Sequence, residues 1–162
     1  MHVLWIAYFG LIAAFSLIGS ALCALGLRHL PWLNQVDAAR SDHAPFISII
    51  FAARDEAEKL PAALPTLLAQ DYLDYEVVAV NDRSRDATPD ILNQFARASK
   101  RLRVCNVAEL PPGWLGKPHA LQRGCEQAAG SWIVFTDADV HFAPAVLRRV
   151  LSLVRKQQID HL

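Results

Sequence analysis

Four short runs rich in large apolar and β-branched residues alternate with segments whose apolar positions recur at helical spacing, and this order limits the fold more than any other feature. The runs are Phe46-Ile47-Ser48-Ile49-Ile50-Phe51-Ala52, Glu76–Asn81, Leu102–Val107 and Trp132-Ile133-Val134-Phe135-Thr136. Between the first two, Leu60, Ala63, Leu64, Leu67 and Leu68 predict a helix within Ala57–Gln70, with Pro61 in its first turn and Pro65 an irregularity. A second helix is expected over Asp90–Lys100, with Ile91, Leu92 and Phe95 inward and Asp86 or Thr88 as its cap. Leu110–Gly116 reads as a loop, Pro118–Ala129 as a helix and Pro144–Arg155 as a last amphipathic helix. Strand and helix in strict alternation predict an α/β fold, a doubly wound and mostly parallel sheet. Trp132–Thr136, flanked by Gly130-Ser131 and polar residues, is expected to be covered on both faces.

In such sheets ligands collect at the carboxyl ends of the strands. Asp55 and Glu56 follow the first run, Asp82 the second, and Asp137 and Asp139 the fourth, so all belong to one edge. If the chain stays extended past Thr136, Asp137 and Asp139 point to the same side as two hard oxygen donors for Mg²⁺ or Mn²⁺. Lys117 adds a cation at a helix start, where free N–H groups and the dipole favour an anion. Carboxylates for a metal and a ribose, with a positive helix end for phosphate, point to a nucleoside diphosphate ligand. Each residue has a plainer reading. Arg54 can pair with Asp55 or Glu56, Asp82 can form a turn, His119 and His141 can be structural, and Trp114 can anchor its loop rather than stack on substrate. An Asp-x-Asp pair also fits a phosphatase of the haloacid-dehalogenase type with Asp137 as nucleophile, but there the pair follows the first strand. A receiver-like domain needs an Asp after its third strand, which Leu102–Val107 lacks.

The first segment is of another kind. Val3–Leu27 carries no charged residue, and as a helix at 1.5 Å per residue it spans roughly 37 Å, enough to cross a hydrocarbon core of about 30 Å. It reads as a transmembrane anchor rather than a cleaved signal, since Met1-His2 lacks a basic region and the apolar stretch is long. Ser16, Ser20 and the glycines at 10, 19 and 26 could support helix packing. Arg28, His29 and Arg40, with Leu30-Pro31-Trp32-Leu33 as an interfacial foot, place the remainder on the cytoplasmic side of an inner or plasma membrane, single-pass. The expected organisation is a membrane helix over 1–28, a linker over 29–45 and a nucleotide-binding domain over 46–162. Net charge is zero from 16 bases and 16 acids, and the cluster Arg97, Lys100, Arg101 and Arg103 has no interleaved aromatics, so no nucleic-acid partner is expected. Cys23, Cys105 and Cys125 form no Cys-x-x-Cys pair and imply a reduced compartment and ordinary burial.

Four segments carry a family resemblance: Ala52-Ala53-Arg54-Asp55-Glu56 after its strand, Val80-Asn81-Asp82-Arg83-Ser84-Arg85-Asp86-Ala87-Thr88, Gly116-Lys117-Pro118-His119-Ala120-Leu121, and Phe135-Thr136-Asp137-Ala138-Asp139. In order and spacing they resemble the amino-terminal half of family 2 glycosyltransferases of the GT-A fold, over roughly Phe46 to Val154. The stretch Leu110-Pro111-Pro112-Gly113-Trp114-Leu115-Gly116-Lys117 is similar to the membrane-anchored branch with hopanoid-associated and ceramide-glucosyltransferase-like enzymes. The resemblance implies that the backbone around Ala53 and Glu56, with Asp82, holds uridine, that Lys117 approaches the nucleotide, and that Asp137 and Asp139 bind the sugar nucleotide and its Mg²⁺ or Mn²⁺. It further implies inverting transfer from a UDP-sugar to a lipid or polysaccharide acceptor at the membrane. The family's acidic motif for the general base and its Gln-x-x-Arg-Trp motif lie further along than Leu162, and Asp160 in Gln158-Ile159-Asp160-His161-Leu162 matches neither. A truncated enzyme is therefore expected; a nucleotide-sugar-binding piece without turnover, or one needing a partner chain, remains the alternative.

Overall fold

The computed structural model describes residues 2–28, 33–38 and 44–158. His29, the Leu30-Pro31-Trp32 part of the interfacial foot, Arg40 and Asp160 lie outside the described residues. The chain divides into two compact units, Met1–Val36 and Asp37–Leu162. In the first, helix α1 (His2–Arg28) includes Tyr8–Gly26, 19 residues of mean hydropathy 2.0 with none of that span buried, long and apolar enough to cross a membrane. A short 3₁₀ turn follows at Leu33–Gln35.

The second unit contains β1 (Ile47–Ala53), α2 (Leu60–Leu68), β2 (Tyr75–Asp82), α3 (Thr88–Ala98), β3 (Leu102–Val107), α4 (Gly116–Gln127), β4 (Trp132–Asp137) and α5 (Val146–Gln157). The strands form one parallel sheet in the order β3-β2-β1-β4, with Ile47 level with Tyr75 on one side and Trp132 on the other. The chain thus starts at β1, steps outward to β3 and returns across β1 to lay down β4. That reversal makes the junction of β1 and β4 a topological switch point, and in open α/β sheets ligands gather near such points at the carboxyl ends.

Period-2 alternation divides β1 between two layers. Ile47, Ile49 and Phe51 meet α2, α3 and α5 through Leu60, Leu64, Leu67, Leu92, Leu147 and Leu151. Ile50, with Val78 and Val80 of β2, meets α4 through Ala120 on the other face. Leu60, Leu64 and Leu67 are fully buried, each contributing about 2 kcal/mol of transfer free energy. Gly124 lets α4 lie close, because a Cβ there would stand 2.5 Å from Ile50 Cγ2.

The expectation for the fourth strand needs correcting. β4 is not covered on both faces: exposure alternates along it, and Ile133 and Phe135 are 41% and 54% exposed. Trp132 and Val134 face the covered layer, whereas α4 packs mainly on β1 and β2. An apolar run with large residues on both faces reads the same whether or not a helix lies over each, so composition could not distinguish the cases. Smaller shifts concern helix ends. α3 starts at Thr88, α4 starts at Gly116 and so takes in Lys117, and α5 starts at Val146. Pro61 is in the first turn of α2 as expected, and Pro65 is accommodated inside that helix.

At the opposite, amino edge a buried carboxylate holds the layers together. Glu76 Oε1 accepts from Ser48 Oγ and from the Ala129 N–H, both at 2.7 Å, and Arg103 donates to Oε2 at 3.2 Å. The Gly130 N–H donates to Ser48 Oγ at 2.9 Å, so the turn leading into β4 is fixed to β1 and β2. Arg101 stacks its guanidinium 4.5 Å from the Tyr75 ring centre, so Arg101 and Arg103 of the basic cluster serve the fold.

Candidate functional site

The loops after β1 and β2 are laced together by side chains accepting from backbone. The Asp55 N–H donates to Ser84 Oγ (3.1 Å), Glu56 N–H to Thr88 Oγ1 (2.8 Å), Ala57 N–H to Asp86 Oδ2 (3.0 Å) and Arg85 N–H to Asp55 Oδ1 (2.7 Å). Asp55 and Arg83 sit at φ of 57° and 58°, a left-handed conformation uncommon outside glycine, and these cross-bonds hold the loops in it. Asp86 also accepts the Thr88 N–H at 2.9 Å at the start of α3; the Thr88 hydroxyl first, then the Thr88 and Ala57 N–H groups, hold the Asp86 carboxyl below its usual range against the opposing push of burial. Arg54 makes no ion pair with Asp55 or Glu56, which are engaged elsewhere.

Asp82 is the last residue of β2 and only 3% exposed, so it is a strand-end carboxylate rather than a turn former. Arg83 clamps it through Nε at 2.7 Å and Nη2 at 3.1 Å. Beside it, a cavity of about 510 Å³ opens between the ends of the strands, lined in part by Arg54, Asn81, Arg83, Ser84, Arg85 and Asn106. That volume is in the range of small-molecule sites. Its floor is fixed by Asn81 Nδ2 donating to Asn106 Oδ1 at 2.9 Å.

The start of α4 bridges this cavity to β4. A Cβ on Gly116 would lie 2.9 Å from Arg83 Nη2 and 3.1 Å from Asp82 Oδ2, so Gly116 abuts the Asp82–Arg83 pair. The next residue, Lys117, pairs with Asp137 Oδ1 at the end of β4. Gly116-Lys117 therefore reaches from the end of β2 to the end of β4, across the end of β1 that lies between them in the sheet.

Asp139 departs from expectation. The chain leaves the extended form after Asp137: residues 138 and 139 form a turn, and Ala138 is buried in the α2–α5 layer. Asp137 pairs with Lys117 of α4, while Asp139 Oδ2 takes Lys59 Nζ at 3.1 Å just ahead of α2, which packs on the opposite face. Lys59 also reaches Glu56 Oε2 at 3.3 Å. Its hydrogen bond to Asp139, and then that to Glu56, raises the Lys59 ammonium above its usual range, and the same contact lowers the Asp139 carboxyl.

The edge thus gathers Glu56, Asp82, Lys117, Asp137 and Asp139, with Ala53 buried at the end of β1 and its carbonyl 3.4 Å from Ser84 Oγ. Lys59, Ser84, Asn106 and the loop role of Asp86 escaped the sequence reading. Lys59 stands three residues after Glu56, a spacing that signals that pair, but nothing in the sequence links it to Asp139. His119 is buried, its Nδ1 without a partner among the described residues, its ring edge-on to Trp114 at 5.5 Å; His141 is exposed. Trp114 itself is 45% exposed. Asp137 and Asp139 are hard, exposed donors, and no group of three ligating side chains occurs among the described residues. Two carboxylates completed by phosphate oxygens and water suit Mg²⁺ or Mn²⁺.

Residues 48–161 match the family model described as Glycosyl transferase family 2. The chain belongs to that family. Among curated relatives, the β-monoglucosyldiacylglycerol synthase of Nostoc sp. is 28% identical over 169 residues, 97% of this chain and 36% of the synthase. A PGL/p-HBAD biosynthesis glycosyltransferase of Mycobacterium bovis is 33% identical over 117 residues, 71% of this chain and 44% of that protein. Among solved structures, a mannosyltransferase from Pyrobaculum calidifontis in complex with GDP-Man and Mn²⁺ superposes with a TM-score of 0.67 at 26% identity, covering 85% of this chain and 39% of that one. S. aureus TarS in complex with UDP-GlcNAc gives 0.59 at 26% identity, over 71% and 32%. The chain spans between 32% and 44% of the length of these relatives. Membership in family 2 takes the place of the phosphatase and receiver readings.

Proposed function

We propose that this chain forms the donor-binding half of a metal-dependent glycosyltransferase that takes the sugar of a nucleoside diphosphate sugar, a UDP-sugar first among them. The observation that carries the reading is the reach of Gly116-Lys117 from Asp82 to Asp137 across the end of β1, which joins a nucleoside-sized cavity to the carboxylate pair. Asp82 and the backbone of Ala53 and Glu56 hold the nucleoside, with the loop geometry fixed by Ser84, Asp86 and Thr88. Lys117 meets the diphosphate from the amino end of α4, where unpaired N–H groups favour an anion. Asp137 and Asp139 hold Mg²⁺ or Mn²⁺, which when bound supplies neutralisation of the charge on the departing diphosphate. Support comes from the neighbours that bind GDP-Man with Mn²⁺ and UDP-GlcNAc.

The acceptor we assign is a lipid or a glycan at the cytoplasmic face of a membrane. The apolar span Tyr8–Gly26 and a relative named for a diacylglycerol glycolipid favour the lipid. An inverting displacement requires a base for the acceptor hydroxyl. No Asp or Glu follows Asp139 among the described residues, and we leave that base unassigned. Calorimetry of the whole chain in detergent micelles, titrated with UDP and with GDP, tests the donor reading. UDP binding that needs Mn²⁺ and is lost in Asp139→Ala is the expected result. Binding indifferent to both would remove the metal site, and preference for GDP would remove the uridine assignment.

A further inference from the structure

We propose that Lys59 is a placeholder cation that occupies Asp139 and must release it before a divalent metal can join Asp137 and Asp139, so that Lys59 sets the metal affinity of the site. The inference rests on the metal reading of that pair. In the structure the two carboxylates are engaged by different lysines, Asp137 by Lys117 at the start of α4 and Asp139 by Lys59 just ahead of α2. A shared ion needs both carboxylates turned to one point, so at least one of these pairs has to break.

Lys59 is the one built to let go. Its Nζ lies 3.1 Å from Asp139 and 3.3 Å from Glu56, so on losing Asp139 it keeps a partner three residues away on its own segment. Lys117 has no second carboxylate partner among the described residues. The Lys59 and Asp139 side chains are 54% and 45% exposed and Lys117 and Asp137 58% and 57%, so both ion pairs are weak and exchange readily with water, and the fallback partner decides between them. Leu60, fully buried next in the chain, holds the Lys59 backbone in place, so only the flexible stem has to swing. Glu56 then has a second task besides its backbone contact with Thr88. It receives the lysine displaced by the metal, which keeps an ammonium group from being left beside a dication.

The test is Mn²⁺ binding without nucleotide, read as free Mn²⁺ by electron paramagnetic resonance on the whole chain in micelles. Lys59→Met is expected to bind Mn²⁺ about fivefold more tightly than the wild type, the factor an exposed ion pair can withhold. Lys59→Arg, which keeps the cation, should stay near wild type. Glu56→Gln should bind more weakly, because Lys59 then has only Asp139 to hold, and adding Lys59→Met to Glu56→Gln should abolish that loss. Wild-type binding that disappears in Asp139→Ala but is unchanged or weaker in Lys59→Met overturns the placeholder role while leaving the metal site standing. No Mn²⁺ binding by either the wild type or Lys59→Met overturns the metal reading and this inference with it.

Discussion

Replacing Glu76 should cost more stability than any change at the carboxyl edge, although it lies at the far end of the sheet from the candidate site. Glu76→Ala leaves the Ala129 N–H and the Ser48 hydroxyl without their acceptor in a buried setting, at about 1–3 kcal/mol each. The partner Arg103 is half exposed and adds little. The expected loss is about 3–4 kcal/mol. Glu76→Gln keeps an amide oxygen for Ser48 and Ala129 but turns an NH₂ toward Arg103, and should lose about 1–2 kcal/mol. For a unit of this size about 1 kcal/mol moves the midpoint by roughly 3–5 °C, which near-ultraviolet circular dichroism of the micellar chain resolves. The pH dependence has a definite sign. Burial pushes the Glu76 carboxyl up, but the Ala129 N–H, Ser48 and Arg103 together hold it below its usual value. A depressed folded value means the contribution is complete above the unfolded carboxyl range near about 4.3 and is lost as pH falls through the lower folded value. The gap between wild type and Glu76→Gln should therefore narrow below about pH 4.5. A gap that widens in acid, or a Glu76→Ala as stable as Glu76→Gln, would refute the reasoning.

Gly124→Ala places a Cβ 2.5 Å from Ile50 Cγ2 and 3.0 Å from Val80 Cγ2, both fully buried, so thermal unfolding should show a loss of about 1–3 kcal/mol. Phe135→Ser, on the uncovered face of β4, should change stability by no more than about 0.5 kcal/mol, whereas Phe51→Ala in the core should lose about 3–5 kcal/mol; equal losses would contradict the exposed face. Asp86→Ala frees the Ala57 and Thr88 N–H groups and unlaces the two loops, so calorimetry should show UDP affinity falling by about three- to tenfold with its Mn²⁺ dependence intact.

What could be read from the sequence follows what is local or periodic. The alternation of β-branched runs with Leu60-Ala63-Leu64-Leu67 spacing gives the layers and the parallel sheet, since each period is imposed by the element itself. The side of the sheet on which Asp82, Lys117, Asp137 and Asp139 lie also follows, because every strand in a parallel sheet ends on the same edge. What escaped depends on contacts between distant segments. Ser84 looks like an ordinary turn residue until the Asp55 N–H is found against it, and Lys59 looks like a solvated lysine until Asp139, 80 residues on, takes its ammonium. The uncovered face of β4 escaped for a related reason: Ile133 and Phe135 have the composition of a core, and only the path of α4 over β1 and β2 reveals that it leaves them uncovered.

The two ends of this sheet use charge in opposite ways. At the amino edge Glu76 is buried, with backbone, hydroxyl and guanidinium donors around it, and these contacts commit the carboxylate to the fold. At the carboxyl edge Asp137 and Asp139 are exposed and each holds a flexible lysine, an arrangement that contributes little to stability and can be exchanged at small cost. Asp82 lies between these cases, buried like Glu76 but paired, among the described residues, with its neighbour Arg83 alone, whose own backbone is held in a left-handed conformation by the laced loops. A ligand that draws on Asp82 thus needs to move a side chain already at the mouth of the cavity, whereas one that draws on Asp139 needs Lys59 to fall back on Glu56. The stable edge fixes where β4 begins and hence where Asp137 ends up; the exchangeable edge is where binding can change partners without disturbing the core.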